Sequence, residues 1–118
     1  MSDLAESCIF CSIVAGKAPA QVLYQDEQVT AFRDIHPAAP THILIIPNVH
    51  VASVNDLTED DEPIIGYMFS VARRLAEQEG IQGSGYRLIV NTGAHAGQAV
   101  FHLHLHLIGG QRMRFPMG

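Results

Sequence analysis

Histidines occupy alternate positions near the end of this 118-residue chain: His102, His104 and His106, with Leu103, Leu105, Leu107 and Ile108 among and after them. A strand turns successive side chains to opposite faces, so this spacing sets three imidazoles on one face and leucines on the other. Each ring can take or give a proton near neutral pH. One metal ion held by all three is excluded by distance. Neighbouring positions two apart lie roughly 6.5–7 Å from one another on a strand, whereas a zinc–nitrogen bond is about 2 Å. Two adjacent rings could share an ion with outside ligands. The remaining chemistry is nucleophilic: a neutral imidazole attacks phosphorus or an acyl carbon and forms a covalent intermediate that water opens. The attacking nitrogen keeps its lone pair only if the other nitrogen is held as N–H.

Directly ahead of the row, residues 91–98 read Asn-Thr-Gly-Ala-His-Ala-Gly-Gln. Gly93 and Gly97 allow close approach and unusual dihedrals. Backbone N–H groups in such a loop can cradle phosphate oxygens. A phosphate held beside an imidazole makes a phosphorus-transfer site.

Composition frames that chemistry. Of the residues, 47% are hydrophobic and 16% charged, an ordinary globular balance for one domain over 1–118. The net charge of −5 argues against a nucleic-acid partner. The longest strongly apolar run is Ile43–Ile46, far short of a membrane span. The first residues have no basic stretch followed by an apolar one, so a cytoplasmic protein is expected.

Residues 1–8 read as a flexible polar arm and 109–118 as a tail. Val22–Tyr24 and Val29–Phe32 suggest strands joined by a turn at 25–28. His42–Ile46 is β-branched, uncharged and stopped by Pro47, as a central strand would be. The period then changes. Ile64, Met68, Val71 and Leu75 recur at helical spacing, with Thr58 and acidic residues at the start and Gly80 at the end. Tyr86–Val90 and the histidine segment complete five strands. The expected fold is α+β: a mostly antiparallel five-stranded sheet with one main helix on one face. A homodimer would cover an exposed sheet edge.

The segment from His102 to Ile108 resembles the signature of the histidine triad superfamily, in which three histidines alternate with apolar residues. Asp34-Ile35, Pro40-Thr41-His42, Ile46-Pro47, Asn91, Gly97-Gln98 and Phe115-Pro116 extend the resemblance to its nucleotide-binding protein branch, from about Ile9 onward. The resemblance implies hydrolysis of purine nucleoside 5′-phosphoramidates to the nucleoside monophosphate, with His104 as nucleophile. It implies that His106 binds phosphate, that His42 supports the nucleophile by hydrogen bonding, and that Asp34 holds the ribose hydroxyls. Asn91, Gly97, Gln98 and the backbone at Ala99 and Val100 would meet the phosphate. Ile9, Phe10, Phe32, Ile35 and Leu44 would wall the base.

Two departures bear on substrate. Ala99 stands where a serine is usual, which removes a donor near the leaving group, and Phe115 stands where the branch often has Trp. A sister branch that splits dinucleoside polyphosphates usually has glutamine at the position of Asn91, so phosphoramidates are favoured. The alternatives are a dinucleoside polyphosphate hydrolase and a nucleotide-binding scaffold with weak catalysis.

Cys8 and Cys11 form Cys-x-x-Cys, which by itself fits a redox pair, a metal half-site or two small core residues. Some bacterial members of the superfamily carry a quartet matching Cys8, Cys11, His50 and His102, so the resemblance implies a zinc site. Four protein ligands leave no open position, and such a zinc would be structural. His36 and His95 are expected on the surface.

Overall fold

A computed structural model describes residues 7–114. Of the arm expected over residues 1–8, residues 1–6 lie outside the described residues, as do Phe115 and Pro116, while Cys8 is buried and caps a helix.

Five strands form one antiparallel sheet: β1 (Val22–Gln25), β2 (Val29–Arg33), β3 (Thr41–Pro47), β4 (Tyr86–Ile89) and β5 (Leu105–Gly109). Their order across the sheet is β1-β2-β3-β5-β4, so the expected α+β architecture is present. Every residue of β3 is buried, because it lies in the middle of the sheet with both faces covered. Its uninterrupted apolar run follows from that position. Ile43 and Ile45 face one way with Val29, Ala31, Leu105 and Leu107. Leu44 and Ile46 face the other way with Phe32.

The first face is covered by the helix α2 (Glu62–Gln78), through Met68, Val71, Ala72, Leu75 and Ala76. The helix starts as anticipated. Asp61 Oδ2 accepts from the Thr58 backbone N–H at 2.9 Å and from its hydroxyl at 3.2 Å, and Pro63 falls in the first turn, where it forfeits no helical bond. At its end the backbone N–H of Ile81 reaches the Ala76 carbonyl at 3.0 Å while Gly80 takes φ 74°.

The second face is covered by α1 (Ile9–Val14), a six-residue helix that sequence reading left unassigned. Phe10 and Ile13 are its buried side chains, packed on Phe32, Leu44 and Ile46. The Cys8 side chain caps it by accepting from the Cys11 N–H. Helices this short do not persist alone, so α1 depends on what its ends are tied to.

The histidine segment departs from expectation. Ladder pairing begins only at Leu105, so His102 and His104 precede β5. The alternation nevertheless survives, since Leu103, Leu105 and Leu107 are all buried. At the other end of the site, Arg33 makes a two-pronged ion pair with Glu79 at 3.0 and 2.9 Å, and Thr41 Oγ1 donates to the same carboxylate. That clamp ties the end of β2 to the end of α2 and sets where the next residue, Asp34, begins.

Candidate functional site

The three alternating histidines have three different engagements. The His104 Nδ1–H donates to the backbone carbonyl of His102 at 2.8 Å, which leaves the lone pair on Nε2. Phe10 meets the His104 ring edge-on at 5.2 Å. The His106 ring lies 4.9 Å from that of His104 and turns toward β3. His102 is fully buried and faces the two cysteines.

His104 and His106 line a cleft of about 540 Å³, within the usual range for small-molecule sites. Ile9, Phe10, Phe32 and Leu44 supply an apolar wall, and Ile35, 81% exposed, stands at the mouth. Asp34, Asn91, Gly97, Ala99 and Val100 also line the cleft. Thus every residue expected around a nucleotide reaches this cleft except Gln98. His36 is exposed, as expected of a surface residue, and also lines the cleft. Its position two residues after Asp34 was the available signal: its N–H donates to Asp34 Oδ1 at 2.8 Å, which fixes the turn between them. His95 is exposed, as anticipated. A separate cleft of about 640 Å³ near Gly80, Tyr86 and Arg112 contains none of the histidines.

A chain of donors fixes the tautomers on the β3 side. The Ala38 backbone N–H can only donate, and it lies 3.0 Å from His42 Nδ1. His42 Nε2 therefore carries the proton and donates to His106 Nδ1 at 2.9 Å. His106 Nε2 must then be an N–H, and it is buried with no partner among the described residues. A buried N–H without an acceptor is costly unless something arrives to accept it. Here that donor belongs to a ring on the wall of the cleft. Burial, with the neighbouring His104 and His42 rings, brings His106 down to about 4, so it stays neutral at physiological pH. Burial lowers His42 as well, against the pull of Asp34, 3.4 Å away. The resemblance implies that His42 supports the nucleophile by hydrogen bonding. Its hydrogen bond goes to His106, because Leu44 is the register partner of His106 and His42 sits two residues along on the same face.

Among the described residues, two clusters have metal-ligand composition: Cys8, Cys11, His50 and His102; and Asp34, His42 and His106. Hydrogen bonding separates them. In the second, Ala38 N–H occupies Nδ1 of His42, so an ion on Nε2 would require an imidazolate. In the first, the His102 Nε2–H donates to the Pro47 carbonyl at 2.8 Å, which frees Nδ1. That Nδ1 is 3.4 Å from Cys8 Sγ and 3.5 Å from Cys11 Sγ, and His50 Nδ1 is 3.3 Å from Cys11 Sγ. A tetrahedral zinc with ordinary bond lengths has sulfur–nitrogen edges of roughly 3.5 Å. The donor set and its spacing therefore fit zinc. Burial, with the hydrogen bond and charge of Cys8, pushes the Cys11 thiol up to about 11, and a cation would be needed to hold both sulfurs as thiolates.

Gln98 is a buckle rather than a lining residue. Its Oε1 accepts from Gly93 N–H at 2.9 Å, and its Nε2 donates to the carbonyls of Ala52 at 2.8 Å and Val100 at 3.1 Å. With φ 84° at Gly93 and φ 91° at Gly97, this closes the turn that carries the cleft's glycine edge. Gln98→Leu leaves these backbone groups unpaired. Exchange of the Gly93 amide hydrogen is expected to quicken roughly tenfold or more, which hydrogen-exchange mass spectrometry reads directly.

Comparison with known proteins agrees with the geometry. The chain is 54% identical over 115 residues to the purine nucleoside phosphoramidase of Escherichia coli (strain K12), covering 98% of this chain and 93% of that one. It superposes on a HIT family hydrolase from Legionella pneumophila Philadelphia 1 with a TM-score of 0.91 at 47% identity, covering 94% and 99% of the two chains. A zinc-bound histidine triad family protein from Mycobacterium smegmatis superposes with a TM-score of 0.79 at 35% identity, covering 91% and 77%. The HIT domain family model matches residues 15–113, nearly the whole described fold, and the chain belongs to that family.

Proposed function

We propose that this chain hydrolyses purine nucleoside 5′-phosphoramidates through a nucleotidyl intermediate on His104. The observation that carries the reading is the pairing of tautomers in one cleft. His104 offers a lone pair at Nε2, and beside it His106 offers an unpartnered N–H. The first attacks the α-phosphorus; the second donates to a non-bridging phosphate oxygen. The P–N bond to the amine breaks as the P–Nε2 bond forms, and the amine leaves with a proton taken from solvent, which the water of the next step returns. Water then attacks phosphorus, the P–Nε2 bond breaks, and the nucleoside monophosphate departs with His104 restored. Asp34 would hold the ribose. Its Oδ1 folds the 34–36 turn and Oδ2 faces His42, with lone pairs remaining for hydroxyls. The apolar wall from Phe10, Phe32 and Leu44 suits a planar base.

The test is to mix the protein with adenosine 5′-phosphoramidate, quench under mildly basic conditions and weigh the peptides. An adenylyl adduct on the His104 peptide is expected, absent in His104→Ala. Ala99 favours one second reading, a nucleotide-binding scaffold with weak catalysis, because the cleft's glycine edge has no hydroxyl there for the leaving group. Binding without adduct or turnover would establish it. Dinucleoside polyphosphate offered in parallel decides the other alternative by the ratio of turnover rates.

The quartet of Cys8, Cys11, His50 and His102 would hold a structural zinc, and elemental analysis of protein purified without chelator is expected to show about one equivalent. Two cysteines that form no disulfide suit a reducing cytoplasm. No helix among the described residues is long and apolar enough to cross a membrane. A homodimer is proposed because β4 lies at the edge of the sheet and Val90, just beyond it, is exposed. Sedimentation is expected to give a dimer, and Val90→Arg to shift it toward monomer.

A further inference from the structure

We propose that Cys8, Cys11 and His50 are positioning residues for the nucleophile: by gripping the His102 ring they hold the peptide carbonyl that keeps the attacking nitrogen of His104 free. The inference rests on the zinc reading of the quartet and adds a catalytic consequence to a structural site.

Two routes run from the quartet to the cleft. The first is through the backbone. The carbonyl that accepts the His104 Nδ1–H belongs to His102. It precedes β5, whose ladder begins at Leu105, so sheet register does not hold it. Nearby, one backbone bond anchors the segment, from the Leu103 N–H to the Val51 carbonyl at 2.7 Å. The His102 ring is held at both nitrogens, Nε2 by the Pro47 carbonyl and Nδ1 at the sulfurs. With Nδ1 ligated, the ring cannot turn without dragging its own peptide. The second route is through α1. Phe10 lies between the two cysteines and meets His104 edge-on at 5.2 Å, His102 at 6.0 Å and Phe32 at 5.3 Å. A six-residue helix depends on its tethers, and Cys8 and Cys11 are at its start. Ligation thus fixes one neighbour on each side of the His104 ring.

The test compares zinc-loaded wild type, chelator-stripped wild type, Cys11→Ser and Cys11→Asp, the last keeping an anionic ligand. Three quantities are read: zinc content, the His104 tautomer from long-range proton–nitrogen NMR correlations, and the single-turnover rate of adduct formation with adenosine 5′-phosphoramidate. The loaded protein is expected to show only the Nδ1–H tautomer. Stripping or Cys11→Ser is expected to mix the tautomers and slow adduct formation roughly ten- to hundredfold. Cys11→Asp, or zinc added back to the stripped protein, is expected to recover both readouts together. A single Nδ1–H tautomer with a wild-type rate in stripped protein overturns the positioning role while leaving the metal site standing. Zinc absent from purified wild type, and not taken up on addition, overturns the metal reading and this inference with it. Should the stripped protein unfold, cobalt(II)-loaded wild type is compared with cobalt(II)-loaded His104→Ala. A shift in the visible ligand-field bands supports the coupling, and identical bands overturn it.

Discussion

In His104→Ala, turnover of adenosine 5′-phosphoramidate is expected to fall roughly 10⁴-fold or more, with affinity for adenosine monophosphate held within about tenfold. The split follows from what the ring does and does not touch. It supplies the attacking Nε2, and the adjacent His106 ring cannot take its place: His106 Nδ1 is taken by His42, and its Nε2 is an N–H. Removing the nucleophile therefore removes the covalent route. The groups that would hold the ligand are elsewhere, in the apolar wall, at Asp34 and along the glycine turn. The fold should tolerate the change, because the one hydrogen bond the ring makes goes to a neighbouring carbonyl. The variant can be checked by calorimetric titration with adenosine monophosphate beside steady-state kinetics. Loss of binding in parallel with turnover would show a ligand contact in place of a nucleophile. Turnover within tenfold of wild type would place the attack elsewhere.

The contrast between His104 and His42 shows what the sequence could disclose. The alternation of His102, His104 and His106 with leucines was legible, because extended backbone keeps a period of two whether or not a ladder forms. The β3 run was legible because burial on both faces demands unbroken apolar residues. The α2 stripe was legible because Met68, Val71 and Leu75 must return to one side every 3.6 residues. The bond from His42 to His106 was not. It depends on which residue of β5 meets Leu44, a register between segments 64 residues apart that no local pattern encodes. Gln98 failed to read for a related reason: an amide beside a glycine announces a polar contact but not its partner, and the partner at Ala52 is 46 residues away. The helix α1 was hidden because its six residues hold only Phe10 and Ile13 as buried positions, too few to display a period, and its cap is a cysteine. The first and last of the alternating histidines thus shared a legible face; the family resemblance assigned His102 to the cysteines, while the relay bond that ties His106 to His42 was not legible.

That relay makes the second large prediction one of stability against pH. His106 is brought by burial from its ordinary 6.5 down to about 4. Between these values the unfolded chain carries a proton on this residue that the folded chain refuses. Protons then favour unfolding, so stability from this group is full above about 6.5 and is lost progressively as pH falls to about 4. Below that, the folded ring is protonated too and the loss levels off. The span corresponds to up to about 3 kcal/mol between neutral pH and pH 4. His42 shifts in the same direction and adds to the slope. Acid also releases metal from thiolates, so wild type alone cannot assign the slope. The comparison that can is His106→Asn, whose side-chain oxygen replaces Nδ1 as acceptor for the His42 Nε2–H while nothing on it titrates. Urea unfolding from pH 7 to 4 is expected to give a wild-type slope steeper than that of His106→Asn by most of this amount, with both proteins losing the same metal-linked share. Parallel slopes would mean that the folded protein accepts the proton at His106 as readily as the unfolded chain. The unpartnered N–H would then not be the neutral donor assigned to the phosphate, and the tautomer chain from Ala38 through His42 would fail at its last link.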